Sequence, residues 1–187
     1  MNMFVLMFIG VFILIFIFYF IQINNSLVVL KNQVSKSWSN IDVILKQRFD
    51  EIPQLIEIIN QYLTHEKKII DNVVNARTMY GQARSENEKM QANQQFVKGM
   101  AGLMAIGENY PELKSNNNFV QLQSRLSELE ESLAHRREHY NDAVTNYNTM
   151  IEQFPSSIVA QMNQHKQKLL FAVAESEKVR PSLKTNV

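Results

Sequence analysis

One uninterrupted apolar stretch near the amino terminus constrains this chain more than any other feature. The sequence MFVLMFIGVFILIFIFYFI, from Met3 to Ile21, contains nineteen residues and no charge. As an α-helix it would be roughly 28 Å long, close to the ~30 Å hydrocarbon core of a bilayer. It is apolar on every face, unlike a helix at the surface of a soluble domain. The stretch therefore predicts a transmembrane anchor over residues 1–23, with residues 3–21 in contact with lipid.

A cleaved signal peptide is the main alternative to an anchor, and the sequence around the stretch opposes it. No Lys or Arg precedes the stretch, and QINNSL after it offers no small-residue cleavage site. Lys31 and Lys36 come before the first acid, Asp42. The positive-inside rule then predicts a single-pass protein of the cell membrane with its amino terminus outside and residues 22–187 in the cytoplasm. Asn24-Asn25-Ser26 is interpreted as a cap or linker.

The composition excludes several classes of site. The 187 residues include no cysteine, so disulfides, thiolate catalysis, iron–sulfur clusters and cysteine-ligated zinc are ruled out. The 19 basic and 18 acidic residues are scattered, and this balance disfavours nucleic-acid binding. No Gly-x-Gly-x-x-Gly, Walker or Gly-x-Ser-x-Gly motif occurs. We therefore expect no enzymatic activity and no cofactor.

The first helical pattern after the anchor is a stripe of apolar residues from Trp38 to Tyr80, at steps of three and four. Pro53 interrupts this stripe without changing its phase. Either the helix kinks there, or Asp50 caps a new helix with Pro53 in its first turn. The polar stretch 81–93 is a connection, or a helix with little buried surface.

Helical spacing resumes through Phe96 and Met104 and stops between Gly107 and Pro111, where Gly, Asn and Pro together indicate a helix end. Glycines occupy positions 99 and 102 inside this helix, where they lower its intrinsic stability. The close approach of a neighbouring helix would explain them.

The strongest helical signal in the chain is a heptad pattern that follows the asparagines of KSNNN, which are good helix caps, and ends at Pro155. Tyr140 and Tyr147 repeat at seven residues because both lie on this seam, which favours packing over a chemical site. The apolar positions are Phe119, Leu122, Leu126, Leu129, Leu133, Tyr140, Val144, Tyr147, Ile151 and Phe154.

A weaker helical pattern follows, through Ile158, Leu169 and Phe171, and the tail from Glu177 is polar. The predicted fold class is therefore all-α, with an N-terminal transmembrane helix followed by an antiparallel helical bundle of three to four long helices. The predicted domains are the anchor (1–23), the bundle (24–176) and a flexible tail (177–187).

A second stripe at seven-residue spacing lies beside the heptad seam, and its polar members border the core. Such groups need partners when they lose water. We expect Glu130 and Arg137 to bond to charges on the first long helix, with Arg48, Arg77, Asp42 and Asp50 as candidates. The residues predicted to make structural polar contacts are Asp42, Arg48, Asp50, Arg77, Gln123, Glu130, Arg137, Asn141 and Asn148.

His135 and His139 are four residues apart on this helix, a spacing at which two imidazoles can share one metal ion. Carboxylate–histidine centres in helical bundles use two Glu-x-x-His pairs, and the chain contains none. Arg136 and Arg137 also oppose a divalent cation. We expect an exposed face without metal, and keep His135 and His139 as the candidates of an alternative. His65-Glu66 lacks the second histidine of a zinc protease motif.

Two segments carry a resemblance to the LemA family of bacterial membrane proteins. They are VVLKNQVSKSWSNIDVILKQRFDEIPQLIEIINQYLTHE and ENYPELKSNNNFVQLQSRLSELEESLAHRREHYNDAVTNYNTMIEQFPSSIVA, within Leu27 to Ala160. The resemblance implies a transmembrane amino-terminal helix, a short outer amino terminus, a helical bundle and no established enzymatic activity. The chain departs from the family at His165-Lys166-Gln167, where relatives tend to carry Phe-Lys-Pro.

These observations favour a membrane-anchored helical-bundle scaffold or adaptor that acts through protein–protein interaction at the membrane. Its expected partners are the lipid bilayer, through residues 3–21, and an unidentified protein or a second copy of the chain. The alternative is a membrane-tethered domain that senses a ligand or metal through His135, His139 and the kink at Pro53.

Overall fold

A computed structural model describes residues 3–63 and 66–172, without the side chains of Leu6 and Ile106. Every regular element in those ranges is a helix, which confirms the predicted fold class. The helices are α1 (Met3–Asp50), α2 (Ile52–Asn60), α3 (Lys67–Gln82), α4 (Glu86–Gly107), α5 (Pro111–Lys114), α6 (Asn117–Glu152) and α7 (Ser156–Met162). The predicted tail 177–187, the preceding residues 173–176 and His65 lie outside the described residues.

α1 begins as the apolar stretch found in the sequence. Within the described ranges it is the one helix long and apolar enough to cross a membrane, and none of its most apolar window is buried. The helix continues through Asn24-Asn25-Ser26, and Leu27 is fully buried directly after them. The interpretation of these three residues as a cap or linker is therefore wrong. The Asn24 side chain accepts a hydrogen bond from Asn163 (2.8 Å) instead of capping the backbone.

The junction of α1 and α2 shows how the chain passes Pro53. α1 ends at Asp50, and Pro53 lies in the first turn of α2, where its missing amide leaves no hydrogen bond unmade. The Glu51 amide donates to the Arg48 carbonyl (3.2 Å) and the Leu55 amide to the Glu51 carbonyl (3.1 Å), so one turn with hydrogen bonds joins the two helices. Asp50 does not cap α2, because its carboxylate accepts a hydrogen bond from Lys46 (2.6 Å).

The chain divides into two compact units, and α1 and α6 contribute to both. The first unit contains α1 up to Ser39 and the chain from Glu138 to Leu170. The second contains the chain from Asn40 to Arg137, together with Phe171.

In the first unit, α1 packs against the carboxyl-terminal half of α6. The rings of Trp38 and Tyr140 meet edge to face, with centroids 5.6 Å apart and planes at 61°. Tyr140 is fully buried and Tyr147 nearly so, as expected for residues on a heptad seam. Phe154 is 83% exposed because α6 ends at Glu152, so its prediction as a seam residue is wrong.

α7 ends in a hydrogen-bonded cap formed by residues that follow it. Gln164 adopts a left-handed conformation (φ 54°), a role usually taken by glycine. The Gln164 amide donates to the Gln161 carbonyl (3.1 Å), and the His165 amide donates to the Ala160 carbonyl (2.9 Å). These two bonds are those of the Schellman motif, and they turn the chain away from the helix axis.

The segment after α7 is irregular, so the prediction of a helix through Leu169 and Phe171 is wrong. Side chains of α6 take the place of helical hydrogen bonds. The Asn148 amide group accepts from the Lys168 amide (2.9 Å) and donates to the Lys168 carbonyl (2.9 Å). The Tyr140 hydroxyl donates to the Leu169 carbonyl (3.1 Å), and Tyr147 hydrogen-bonds to His165 Nδ1 (2.9 Å).

In the second unit, the amino-terminal half of α6 runs antiparallel to the end of α1. Glu130 bonds to Arg48, and Arg125 forms an ion pair with Glu51 (2.8 Å). The lower-numbered residue of α6 thus meets the higher-numbered residue at the end of α1, as in an antiparallel pair. α6 begins at the cap that its asparagines predict, because Asn116 Oδ1 accepts from the amides of Asn118 and Phe119.

α3 and α4 also pack antiparallel, and one of the two glycines predicted to lie at a close approach does so. A Cβ atom built on Gly99 would lie 2.9 Å from Val73 Cγ2 and 3.4 Å from the Val73 amide nitrogen. A Cβ on Gly102 would meet only Ile69 Cγ2, at 3.9 Å. Close packing therefore requires glycine at position 99 and not at position 102.

Replacement of Gly99 by Ala should destabilise the second unit, while Gly102→Ala serves as the matched control. Alanine adds up to about 1 kcal/mol of helix propensity at either position. At position 99 the overpacking against fully buried Val73, about 1–3 kcal/mol, should exceed that gain. Chemical unfolding of the full chain in detergent micelles should show a loss for Gly99→Ala and a small gain for Gly102→Ala. Equal shifts would contradict the α3–α4 packing.

Candidate functional site

A fully buried arginine on α1 is the centre of the polar structure in the second unit. Arg48 Nη1 donates to Asn93 Oδ1 on α4 (2.7 Å), and Nη2 donates to Glu130 Oε2 on α6. The guanidinium carbon also lies 5.3 Å from the centre of the Phe96 ring. These residues, Arg48, Asn93, Phe96 and Glu130, are called the Arg48 cluster below.

The Arg48 cluster joins three helices through one charge. An arginine deprived of water is tolerated only when acceptors and an opposite charge surround it. The Glu130 side chain is 41% exposed whereas that of Arg48 is 1% exposed, so the pair spans the edge of the core. This arrangement holds α1, α4 and α6 in one register, and its net contribution to stability is smaller than the strength of the pair suggests.

A second cluster forms around Asp42, six residues before Arg48 on α1. Lys89 Nζ donates to both carboxylate oxygens of Asp42 (2.6 and 2.7 Å), and the Tyr80 hydroxyl donates to Oδ1 (2.9 Å). Lys89 Nζ also lies 5.3 Å from the centre of the Tyr80 ring. Asp42, Tyr80 and Lys89 are called the Asp42 cluster below.

The environment of Tyr80 keeps its phenol neutral. Burial raises the pKa of Tyr80 well above its usual value of 10.0. The hydrogen bond to Asp42 raises the pKa further, and the negative charges of Asp42 and Asp50 add to the effect. A phenol held in this state donates a hydrogen bond and does not act as a base. The cluster therefore suits positioning and binding.

Phe49 connects the two clusters. Its ring stacks on Tyr80, with centroids 4.4 Å apart and planes at 18°, and meets Phe96 edge to face at 5.5 Å. Aromatic pairs of this kind contribute roughly 0.5–1.5 kcal/mol beyond the area they bury. Tyr80, Phe49 and Phe96 thus form a row of three rings, with Lys89 over the ring at one end and Arg48 over the ring at the other.

An open groove of about 500 Å³ lies over the Asp42 cluster. Its wall includes the ion pair of Lys46 with Asp50, together with Arg77 and Thr78 of α3. Lys46 and Lys89 are each paired with an acid, whereas Arg77 is exposed and forms no ion pair within the described part of the chain. This volume is in the range of ordinary ligand pockets, and Arg77 is the cation in it that can bind an added anion.

Comparison with known proteins assigns the chain to a family. The family model described as the LemA family matches residues 37–184, which include both clusters. The chain belongs to the LemA family. The resemblance found between Leu27 and Ala160 is thereby confirmed, and the match extends beyond it toward the carboxyl terminus.

Three curated relatives of this LemA-family chain are magnetosome proteins. Magnetosome proteins MamQ 1 and MamQ 2 of Paramagnetospirillum magneticum are each 23% identical to it over 162 residues, covering 73% of this chain and 60% of the relative. Magnetosome protein MamQ of Magnetospirillum gryphiswaldense is 31% identical over 65 residues, covering 35% of this chain and 24% of the relative. The chain thus spans 60% of the length of the first two relatives.

The structure brings together some of the residues predicted to make polar contacts. Glu130 accepts a hydrogen bond from Arg48, which is one of the partners predicted for it. Asp42 pairs instead with Lys89, and Asp50 pairs with Lys46.

The remaining predicted residues occupy other places. The Gln123 amide donates to the Met104 sulfur (3.6 Å), and the Arg137 guanidinium lies 6.0 Å from the centre of the Phe171 ring. Asn148 holds the backbone of Lys168, and Asn141 is half-buried on α6. Arg77 lines the groove.

Within the part of the chain that the structure describes, the two candidate metal ligands have no third ligand beside them. His135 and His139 are both exposed on α6. No group of three or more His, Cys, Asp or Glu side chains with metal-binding geometry occurs among the described residues. A metal ion there would have only two histidines and water, with Arg136 and Arg137 close in sequence. The structure gives the metal-sensing alternative no geometric support.

Sequence reasoning missed Lys89, Asn93 and Tyr80 as members of the clusters. Lys89 and Asn93 lie in the polar stretch 81–93, which shows little periodicity, and Tyr80 was counted only as part of an apolar stripe. Their partners are up to 47 residues away in sequence, so no local spacing marks them. The only available signal was the general rule that polar residues beside a core need partners.

Replacement of Glu130 by Ala should destabilise the protein, because Arg48 would lose the carboxylate that balances its charge. Removal of one partner of a buried pair costs about 3–5 kcal/mol, and exposure of Glu130 to water should reduce the loss to about 1–3 kcal/mol. Glu131→Ala is the matched control, since Glu131 is an exposed neighbour on the same helix. Thermal unfolding of both variants measures the effect, and an unmoved melting temperature for Glu130→Ala would count against the pairing.

Replacement of Tyr80 by Phe should keep the ring stack and remove the bond to Asp42, at a loss of about 1 kcal/mol at neutral pH. The raised pKa means that the folded state holds the phenol proton more tightly than the unfolded chain does. The contribution of the protonated Tyr80 to the free energy of unfolding is fully present below pH 10 and is lost as the pH rises through the pKa of the folded state. Wild-type stability should therefore fall more steeply above about pH 10 than that of Tyr80→Phe. Parallel curves from denaturant unfolding would contradict this assignment.

Proposed function

We propose that this LemA-family protein is a membrane-anchored helical scaffold that acts by binding a protein partner at the membrane surface. The observation that carries the proposal is the continuity of α1 from Met3 to Asp50. One helix supplies both the exposed apolar span and buried positions such as Leu27 and Leu45. The helix is not interrupted between the exposed span and its first buried positions, which suits an anchor for a folded domain.

The anchor is supported by exposure as well as by length. Large apolar side chains of α1 are exposed throughout the stretch from Met3 to Ile21, an arrangement that water would oppose and lipid would favour. Lys31 and Lys36 are exposed on the following turns, before the first acid. The positive-inside rule then favours an outer amino terminus and a cytoplasmic bundle.

The groove over the Asp42 cluster is the surface that we assign to the partner. Its floor is fixed by hydrogen bonds at both carboxylate oxygens of Asp42 and by the stacked rings of Phe49 and Tyr80. A rigid floor reduces the entropy lost on binding. Arg77 at the rim offers a guanidinium for an acidic group, and guanidinium–carboxylate pairs are well suited to interfaces. We therefore expect the bound segment of the partner to carry an acid.

The proposal predicts a position-specific crosslink in intact membranes. A photo-crosslinking residue at Thr78, on the groove wall, should form a defined adduct with a partner or with a second copy of the chain. The adduct should be lost when Arg77 is replaced by Glu, because the new carboxylate has the same charge as the partner's acid and repels it. Mass spectrometry of the adduct distinguishes the two kinds of partner.

Two controls make this result decisive. A photo-crosslinker at Val120, an exposed residue of α6 outside the groove wall, should give no such adduct. Arg136→Glu changes an exposed arginine of α6 by the same charge and should leave the Thr78 adduct intact. Recovery of the uncrosslinked monomer alone, or an adduct indifferent to Arg77→Glu, would contradict the proposed surface.

A further inference from the structure

The short helix α7 and the turn before it expose apolar side chains that the scaffold role does not use. Phe154 is 83% exposed, Ile158 is 53% exposed and Met162 is 67% exposed. They follow one another at steps of four residues, which places Ile158 and Met162 on one face of α7. Ala160, on the opposite face, and Val159, beside the exposed one, are buried and pack against the rest of the unit.

This apolar face adjoins the end of the proposed membrane span. Phe16, Tyr19 and Phe20 of α1 form one wall of an apolar groove of about 160 Å³, and Pro155, Ile158 and Met162 form the other. An apolar cavity of this size does not hold ordered water, because water would find no hydrogen-bond partners there. Lipid acyl chains can fill it.

The depth of this contact agrees with that of an interfacial helix. The apolar stretch ends at Ile21, and Phe16 lies five residues, about 7.5 Å, inside that end. Amphipathic helices at membrane surfaces bury their apolar face by roughly 5–10 Å. Residues of α7 beside Phe16 therefore lie at the depth of the outermost acyl-chain carbons whenever α1 spans the bilayer.

Hydrogen bonds fix α7 at this level. The Asn163 side chain donates to Asn24 Oδ1 (2.8 Å), directly after the groove residues of α1. At the other end, the Ser156 hydroxyl lies within hydrogen-bonding distance of the carbonyls of Met150 (2.6 Å) and Gln153 (2.8 Å). The polar bond between Asn24 and Asn163 suits the headgroup layer, and the groove suits the layer below it.

The charge of the surrounding sequence favours the same location. The segment from Gln153 to Leu170 contains no acidic residue, and it contains two lysines, Lys166 and Lys168. The cytoplasmic leaflet carries negative surface charge, and this charge attracts Lys and Arg residues that lie beside a span. An acidic segment at this place would be repelled.

We propose that α7 is a second membrane-contacting element, which inserts Phe154, Ile158 and Met162 among the lipids beside the end of α1. Acyl chains of the same leaflet fill the groove between the two helices. This inference rests on the proposed membrane anchor, and it assigns to α7 a binding surface for lipid. The protein then contacts one leaflet through both α1 and α7, and this second contact restricts the rotation and tilt of α1.

Single-cysteine labelling of the full chain tests the inference, because the protein contains no native cysteine. Ile158→Cys and Met162→Cys change exposed positions and should leave the core intact. Each variant carries an environment-sensitive fluorophore in liposomes of phosphatidylcholine and phosphatidylglycerol, with and without lipids that bear a quencher in the acyl chain. Both labels should show blue-shifted emission and several-fold stronger quenching than an aqueous label.

Two reference positions separate the possible failures. His139→Cys lies thirteen residues, roughly 20 Å, before Glu152 on α6 and should remain aqueous. Phe8→Cys lies in the span and should be quenched. Quenching at Phe8 without quenching at Ile158 and Met162 overturns the inference and leaves the anchor standing, whereas no quenching at Phe8 overturns the anchor. Protection of Ile158 from a water-soluble maleimide without quenching would assign the face to a second copy of the chain and overturn the inference.

Discussion

The charge of Arg48 is the constraint on which the second unit depends. A guanidinium with no exposed surface must have its acceptors supplied by the protein, and here α4 supplies Asn93 and α6 supplies Glu130. An apolar heptad seam by itself permits a shift by one repeat, because each layer resembles the next. A shift of α6 by seven residues would remove Glu130 from Arg48 and leave the cation unbalanced. The apolar residues thus supply most of the stabilisation, while this one charge selects a single arrangement.

The sequence predicts the helices and one member of this ion pair, Glu130. It gives the other member, Arg48, only as one of several candidates. Glu130 lies on a stripe at seven-residue spacing beside the core, so its need for a partner follows from periodicity. Arg48 is only one of four candidates, because its spacing from the buried Leu45 and Ile52 favours burial while its charge opposes it. Asn93 and Lys89 lie in a polar stretch whose importance appears only when α4 meets α1. Contacts across 45 to 82 residues depend on the packing of whole helices, which periodicity does not specify.

The Tyr and Asn residues of α6 show a second limit of pattern reading. The seven-residue repeat of Tyr140 and Tyr147 correctly indicates that their rings are buried. Their hydroxyls and the Asn148 amide, however, bind the chain that returns after α7. This segment was predicted as helix from Leu169 and Phe171. It is irregular because α6 satisfies its backbone groups from outside, so the segment does not need helical hydrogen bonds.

We propose that the change of pattern within α1 marks the membrane surface, where the helix itself continues without a break. Up to Ile21 large apolar side chains are exposed on every side, whereas from Ile23 the buried positions form a stripe that continues through Leu27 and Val34. A helix in lipid needs no polar face, and a helix packed on a bundle needs one apolar stripe, so in the proposed arrangement the switch marks the boundary between lipid and water. Asparagines at the switch are weak helix formers, yet the helix persists because buried residues, Ile23 and Leu27, lie on both sides of them. The residue that follows the switch, Asn24, is also the one that accepts a hydrogen bond from Asn163, so the proposed anchor would have a polar contact at the membrane surface.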